Sequence, residues 1–323
     1  MPDTYTSQFS GEEIDAAVRA AQIISGASTL AELRKKLEIR GDTIPVSAED
    51  STLISEALTK IPTTSGGGVN PNLLDNWYFG RPVNQRGQTD YATGGAYTLD
   101  RWWMQYDTTL SIVDGGIKIG GKWDVQQYFE NTLPNATYTL SLLYKDRTGS
   151  DPLRLIAGNR TDGDLAKTES KDASGILSIT FSTAKSNKVN FGFTGSTDNS
   201  AIIIAIKLEL GDTQTLAHKE NGVWVLNEIP DFGEQLARCQ RYCVAFNQYD
   251  TFFPTDTSDF IVELPCPMRI SPTISNPGNI TNVTNPTVAR YNVGSNQLRL
   301  RSTTTHNNAK AVCSGLVLFS ADL

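Results

Sequence analysis

The sequence predicts a mainly β protein with a short α-helical N-terminal stem, a jelly-roll β-sandwich and a smaller C-terminal β-sandwich. Three observations indicate this order. Apolar residues recur with a period near 3.6 in the first 62 residues and with a period near 2 after residue 70. A flexible stretch rich in Ser and Gly separates the two patterns. Gly, Asn, Asp and Pro punctuate the later apolar runs, as they do in all-β sandwiches.

The stem, residues 1–62, contains three predicted helices. The first begins after Ser10, and the other two span residues 29–39 and 48–61. Ser10 is a suitable N-cap, and Glu13 occupies the capping-box position three residues later. The apolar residues of the first two helices form a coiled-coil-like seam: Ile14, Ala17, Ala21, Ile24, Leu30, Leu33 and Leu37. Since such short helices have no core of their own, the seam favours a homo-oligomeric bundle, with a small monomeric helical cap as the alternative.

The rest of the chain divides into a hinge at 63–70, the jelly roll at 71–212, a connector at 213–245 and a C-terminal tip at 246–323. Alternating residues predict jelly-roll strands at 138–144, 175–181 and 188–193, and the run 201–210 is apolar enough to be buried on both faces. A helix over 234–245 would place Cys239 and Cys243 on one face. The predicted strands of the tip are 260–264, 287–291, 297–301 and 311–319, and residues 276–286 are a predicted exposed loop.

Composition and charge exclude several classes of protein. The chain carries 28 Lys and Arg against 35 Asp and Glu, which argues against binding to nucleic acid through overall positive charge. No run approaches the roughly 18 apolar residues of a membrane span. Residues 1–4 lack the basic and apolar stretches of a secretory signal, so we expect a soluble chain made in the cytosol. Four cysteines without a C-x-x-C pair predict free thiols.

The sequence also argues against an enzyme. It holds two histidines and neither G-x-S-x-G nor H-E-x-x-H. Paired carboxylates would serve glycan hydrolysis, but acidic residues such as Asp162, Asp164 and Glu169 lie in predicted turns without a framing motif. We therefore expect a binding or structural protein without a cofactor.

Several strings in order resemble the tail-fibre and receptor-binding proteins of bacteriophages and prophages. The strings NLLDNWYFGRPVNQRG (72–87) and YTLDRW (97–102) look like the opening of the carbohydrate-binding-module-like jelly roll in such proteins. IKLELG (206–211) looks like its closing strand, and GEQLARCQRY (233–242) looks like the helix that joins it to a β tip. PCPMR (265–269), followed by PT (272–273), resembles the strand early in that tip. The resemblance covers roughly residues 70–323.

The resemblance implies a homotrimer on the tail of a virion or phage-tail-like particle, assembled in a bacterial cytoplasm. The stem would attach to other tail or baseplate proteins, and the β modules would recognise a glycan or teichoic acid on the surface of a host cell. It also implies that a structural calcium ion could be held by Asp75, Glu209 and Asp212. Two other functions stay open: a structural baseplate or spacer subunit without a ligand, and a tail-associated glycan depolymerase.

Aromatic residues are the first candidates for sugar contact, because an aromatic ring packs against the C–H face of a pyranose. The predicted ligand residues here are Trp102, Trp103, Tyr106 and Trp123. Core packing is the competing role for each. Consecutive strand residues point to opposite faces, so one of Trp102 and Trp103 is buried and the other faces solvent, a subunit or a ligand.

A second candidate site is basic. Arg290, Tyr291, Arg299 and Arg301 are close in sequence in an acidic protein, and Arg299 and Arg301 share one face of a predicted strand. Guanidinium groups suit anionic polymers such as teichoic acids. The alternative is a solvated strand face or an ion pair at a subunit interface.

Overall fold

The computed structural model describes residues 70–130, 132–159, 163–183, 189–247, 250–255, 258–303 and 309–322. The predicted stem with its seam, and the hinge up to residue 69, lie outside the described residues. So the stem and the trimer stay predictions. The described residues belong to one compact unit. All their strand pairs are antiparallel.

Two six-stranded sheets form the first module. Sheet one has the order β1-β4-β5-β12-β7-β10, with β1 Asp90–Tyr91, β4 Thr109–Val113, β5 Gly116–Gly120, β12 Ser200–Leu210, β7 Thr137–Thr148 and β10 Gly175–Ser182. Sheet two has the order β2-β3-β6-β11-β8-β9, with β2 Ala96–Tyr97, β3 Trp103–Met104, β6 Trp123–Tyr128, β11 Val189–Gly195, β8 Leu153–Asn159 and β9 Gly163–Ser170. The predicted β-sandwich is confirmed, and its sheets are consistent with a jelly roll.

The core of this module lies between the two sheets. Alternate residues of each strand point inward, such as Leu155 and Phe193 from sheet two and Ile119 and Leu140 from sheet one, and these side chains have no exposed surface. Burial of this apolar area is the main favourable term in folding. The predicted strands at 138–144, 175–181 and 201–210 are confirmed as parts of β7, β10 and β12.

The second half of β12 is buried on both faces, as its composition predicts. The segment before β1 contributes to this burial, because its backbone bonds to β12 from Leu73 N to Leu208 O and from Phe79 N to Ile204 O, each at 2.9 Å. Lys207, which has no exposed surface, is held by Glu228 at 2.9 Å. An unpaired ammonium group there would be costly, so the ion pair makes the burial possible.

The connector contains a hairpin, β13 Ala217–Glu220 with β14 Val223–Leu226, and one helix, α1 Phe232–Gln240. Asp231 caps α1 by accepting from Glu234 N. The prediction that the helix continues to residue 245 is wrong. Tyr242 N donates to Cys239 O as the chain turns, and Cys243 then begins a strand that pairs with the C-terminal strand. Pairing with a distant strand overrides the local helical period here. The four cysteines are free.

A three-stranded and a six-stranded sheet form the second module. The first has the order β15 Cys243–Phe246, β23 Val317–Ser320 and β18 Thr273–Ser275. The second has the order β19 Ile280–Thr281, β22 Ala311–Cys313, β16 Thr251–Pro254, β17 Asp259–Glu263, β21 Gln297–Arg301 and β20 Thr287–Tyr291. Buried residues of these sheets form a second hydrophobic cluster, which includes Phe252, Phe260, Leu300 and Phe319.

Two predictions for this module need correction. The run 311–319 is two strands, because a turn at 314–316 sends β22 and β23 into different sheets. The predicted loop at 276–286 includes a 3₁₀ helix, Pro277–Asn279, and the strand β19, whose Ile280 is buried against the second cluster. The strands predicted at 287–291 and 297–301 are confirmed. No helix in the described part of the chain is long and apolar enough to cross a membrane.

Candidate functional site

The outer face of sheet two carries one row of side chains across all six strands. The strand registers place Tyr97 opposite Trp103, Trp103 opposite Gln126, Gln126 opposite Gly192, Gly192 opposite Ile156 and Ile156 opposite Lys167. The neighbouring row, with Met104, Val125, Phe193 and Leu155, points into the core. We call the outer surface made by Tyr97, Trp103, Gln105, Asp124, Gln126, Asn190 and Gly192 the amide–aromatic face.

The prediction that Trp102 and Trp103 point to opposite faces is confirmed. Trp102 has no exposed surface, lies in the core against Phe79 and Phe193, and donates from Nε1 to Asn76 O at 2.9 Å. Its ring therefore has no face left for a ligand, and the predicted ligand contact is wrong for this residue. Trp103 is partly exposed on the outer face and forms an edge-to-face pair with Tyr97, with ring centroids 5.3 Å apart.

Three amide side chains next to Trp103 are joined by hydrogen bonds. Asn190 Nδ2 donates to Gln126 Oε1 at 2.6 Å, and Gln126 Nε2 donates to Gln105 Oε1 at 3.3 Å. Gln126 is 9% exposed even though it points away from the core, because its neighbours surround it. The chain of bonds fixes which amide atoms remain to donate and to accept.

Two glycines leave the sheet surface beside these amides without side chains. A Cβ at Gly192 would collide with the carbonyl oxygen of Val125 on the neighbouring strand, so a side chain is excluded there. A Cβ at Gly158 would press on the Asn190 amide. The floor between Gln126 and Ile156 is therefore backbone, which a ligand can approach closely.

Asp124 is the carboxylate of this face. Burial raises its pKa above the ordinary value, a hydrogen bond with Gln126 opposes the rise, and the negative charge of Asp164 adds to it. The carboxyl is thus an acceptor in a partly dehydrated setting beside the amides.

The other aromatic candidates lie in different settings. Tyr106 is partly exposed, with the ammonium group of Lys122 4.1 Å from its ring centroid. Trp123 begins β6, and its side chain is outside the described residues. Contact of Trp103, Tyr106 or Trp123 with a ligand stays a prediction.

The basic candidates divide between the two sides of the second module. Arg299 and Arg301 share the outer face with Asp259, which accepts from Arg301 at 2.7 and 2.9 Å and from Arg299 at 3.4 Å. Arg290 is exposed opposite Arg299. Tyr291 instead packs against the hydrophobic cluster and donates to Met268 O at 2.8 Å, so the predicted basic-aromatic cluster does not form. We call Arg290, Arg299, Arg301 and Asp259 the arginine face.

The residues suggested for calcium do not come together. Asp75 pairs with Arg101 at 3.1 Å and with Arg238 at 2.7 Å, while Glu209 is buried next to Lys207. The described ranges contain no group of three or more side chains arranged to hold a metal ion.

The sequence patterns did not single out five residues of this face: Tyr97, Gln105, Asp124, Gln126 and Asn190. The alternation in β6 was a usable signal, because it places Asp124, Gln126 and Tyr128 on one face. Nothing in the sequence placed Asn190 and Tyr97 beside Gln126, since that depends on pairing between distant strands.

No protein-family model matches the chain, and no curated protein matches it. Solved structures that resemble it include carbohydrate-binding modules. The CBM22-1 xylan-binding domain from Paenibacillus barcinonensis Xyn10C is 14% identical, with a TM-score of 0.28 over 46% of this chain and 100% of that one. The tandem CBM22-1–CBM22-2 of the same protein is 9% identical, with a TM-score of 0.30 over 79% and 99%.

A family 61 module in complex with β-1,4-galactotriose is 12% identical, with a TM-score of 0.26 over 44% of this chain and 99% of that one. These TM-scores are too low to support an inference about fold or function. The case for carbohydrate binding by this chain therefore rests on the geometry of the amide–aromatic face.

Proposed function

We propose that the amide–aromatic face binds a carbohydrate and that the chain is a receptor-binding tail-fibre protein that recognises bacterial cell-surface glycans. One observation carries the first part: a partly exposed Trp–Tyr pair lies beside hydrogen-bonded amides and a glycine floor on one face of a sheet. This combination suits a ligand that has both apolar faces and hydroxyl groups.

A sugar ring presents apolar C–H faces and a rim of hydroxyl groups. Trp103 offers the large apolar surface that a C–H face needs. Gln105, Gln126 and Asn190 offer both donors and acceptors, which a hydroxyl group uses at the same time. Because the amides already hold one another in place, little conformational entropy is lost when a ligand binds.

The charge of the face favours a neutral glycan. Its polar groups are amides, and the single carboxyl is Asp124, whose pKa burial raises. An anionic sugar would meet no cation at Trp103, Gln126 or Asn190, and the cations Arg86, at the Tyr97 ring, and Lys167, in β9, lie at the two edge strands of the sheet. We therefore expect neutral hexose units to bind in preference to acidic ones.

The tail-fibre part of the proposal is supported by the ordered strings at 72–87, 97–102, 206–211 and 233–242 and by the apolar seam of the stem. In a homotrimer, three copies of a weak glycan site act together, and the resulting avidity exceeds the affinity of one site. The stem would join the trimer to other tail proteins, and the protein would act at the exterior of the target cell.

Glycan arrays and whole-cell binding with the full chain test the carbohydrate site. We expect Trp103→Ala and Gln126→Leu to weaken binding about tenfold or more, because each removes a contact that a desolvated ligand depends on. Phe253→Ala is the matched control, since Phe253 is an aromatic residue, 51% exposed, on another sheet. Equal loss of binding in all three variants would exclude the amide–aromatic face as the site.

The same experiments separate the alternatives. A chain that binds no glycan and no host cell, but binds another tail protein tightly, is a spacer subunit. Release of reducing sugar from a host polysaccharide would indicate a depolymerase. Native mass spectrometry tests the trimer, which requires three chains in one particle rather than the 35.3 kDa of a monomer.

A further inference from the structure

A cavity of about 220 Å³ lies where α1 meets the end of the first sandwich. Five of its nine lining residues are charged, namely Asp75, Arg101, Glu130, Arg238 and Arg241, and Tyr242 also contributes to it. None of the side chains of the amide–aromatic face lines it. Gln127, which does, points to the opposite side of β6 from Gln126.

Arg101 is the unusual residue of this cavity. Its side chain is 2% exposed, its Nε contacts Asp75 at 3.1 Å, and its Nη2 donates to Tyr128 O at 2.8 Å. Its Nη1 is buried and has no hydrogen-bond partner. Buried polar groups of this kind nearly always have a partner, so this N–H is a donor that can still take an acceptor.

The backbone and the packing of Arg101 hold this group in place. Arg101 has a φ of 74°, which is uncommon for a residue with a side chain. Its guanidinium carbon lies 3.6 Å from the centroid of the Tyr242 ring. Such stacking restrains a planar guanidinium without using its N–H groups.

The charges around the cavity leave an excess of positive charge. Three arginines, Arg101, Arg238 and Arg241, face two carboxylates, Asp75 and Glu130. Arg238 contacts Asp75 through Nε at 2.7 Å, and Arg241 contacts Glu130 through Nη2 at 3.3 Å. Each arginine carries five N–H donors, so these contacts leave several donors for a further acceptor.

We propose that this cavity binds an oxyanion, the carboxylate or phosphate group of a molecule about the size of one sugar residue. Guanidinium groups match both oxyanions with paired hydrogen bonds. The volume corresponds to roughly seven waters, which leaves room for a small polar molecule around the charged group. The site lies between the sandwich and the residues that lead into the second module, so a bound anion would also brace that connection.

Isothermal titration calorimetry on the full chain tests the proposal with four probes at equal ionic strength: glucuronate, glucose 1-phosphate, inorganic phosphate and glucose. We expect at least one oxyanion to bind and glucose not to bind in the cavity. Preference for glucuronate identifies a carboxylate as the natural group, and preference for either phosphate identifies a phosphate.

Variants locate the binding. We expect Arg101→Lys to weaken it about tenfold or more, because lysine keeps the charge but loses the paired donors. Arg241→Gln, at a half-exposed position, should weaken it by a smaller factor. Arg154→Gln is the control, since Arg154 is an exposed arginine paired with Glu169 outside the cavity. Trp103→Ala should leave oxyanion binding unchanged, which separates this site from the carbohydrate site.

The proposal is overturned if, in the Trp103→Ala variant, no oxyanion binds more tightly than glucose, which would mean that water alone fills the cavity. It is also overturned if the affinity is the same in Arg241→Gln and Arg154→Gln. Should Arg101→Lys not fold, Arg241→Gln decides the question, because the side chain of Arg241 is 50% exposed and its loss leaves the core intact.

Discussion

The amide–aromatic face and the arginine face are both outer surfaces of six-stranded antiparallel sheets. They differ in how their polar groups are satisfied. On the first, Gln105, Gln126 and Asn190 bond to one another, and the surface stays nearly neutral. On the second, arginines gather around Asp259. The same strand geometry thus presents two chemistries, one suited to neutral hydroxyl groups and one to anions.

The arginine face also keeps an unfavourable pair. Arg290 lies directly opposite Arg299, next to an irregularity between Val288 and Arg290. Like charges at such positions destabilise a sheet. None of the ion pairs in the described ranges includes Arg290. The two faces therefore contribute differently to the free energy of unfolding, and substitutions on each face measure the difference.

The largest difference is expected between the two adjacent tryptophans. Trp102→Ala should lower the free energy of unfolding by about 3–5 kcal/mol, because it opens a cavity in the core between Phe79 and Phe193. Trp103→Ala should cost much less, because its ring is partly exposed. Urea unfolding of both variants measures this. Equal losses would mean that the amide–aromatic face is part of a buried interface rather than a free surface.

A smaller loss is expected from Gly192→Ala. The new Cβ would meet the Val125 carbonyl oxygen, and the two strands would have to separate at the floor of the amide–aromatic face. Such overpacking costs about 1–3 kcal/mol. Gly278→Ala is the control, because a Cβ there meets no atom within 4 Å. A Gly192→Ala variant as stable as Gly278→Ala would show that the floor is not fixed by close strand approach.

On the arginine face, Asp259→Asn should cost about 1–2 kcal/mol. The value is low for charged hydrogen bonds because Arg299 and Arg301 are 42% and 59% exposed. Hydrogen bonds from Arg301 hold the pKa of Asp259 below its ordinary value, and the charge of Arg299 adds to this. Glu263→Gln on the same strand is the control.

The pH dependence of this variant follows from the sign of that shift. A carboxyl with a lowered folded pKa stabilises the protein above its unfolded pKa of about 3.9 and loses this contribution as the pH falls through the folded value. The stability difference between wild type and Asp259→Asn should therefore be constant above about pH 5 and shrink as the pH falls below it. A difference that persists at pH 2 would assign the loss to packing instead of charge.

How far the sequence predicts these features depends on the range of the contacts. The alternation of strand residues is local, so it correctly places Trp102 and Trp103 on opposite faces and Arg299 beside Arg301. Tyr291 breaks the predicted basic cluster because the irregularity before Arg290 shifts the register, so that Tyr291 faces inward.

Long-range pairing is where the sequence fails. The chain from residue 234 to 245 has a helical period, yet Cys243 pairs with Ser320 and becomes a strand. In the same way, Gln126 and Asn190 meet because β6 pairs with β11, some 60 residues later in the chain. A single sequence carries no direct signal for which strands pair. The amide–aromatic face is built from residues on such paired strands, so the sequence alone does not predict it.

The smallest predicted effect is also the one that bears most directly on what the arginine face does. Arg290→Gln removes the like charge opposite Arg299, so we expect the free energy of unfolding to rise by about 0.2–1 kcal/mol. Arg154→Gln, which removes an exposed arginine from an ion pair, should produce no such gain.

If the face binds an anionic polymer such as teichoic acid, the same Arg290→Gln variant should bind it more weakly, and the loss should diminish as salt screens the contact. Stabilisation together with weaker binding would show that Arg290 destabilises the fold but contributes to ligand binding. Stabilisation with unchanged binding would leave the arginine face as a solvated surface, and the contrast with the amide–aromatic face would then be one of stability alone.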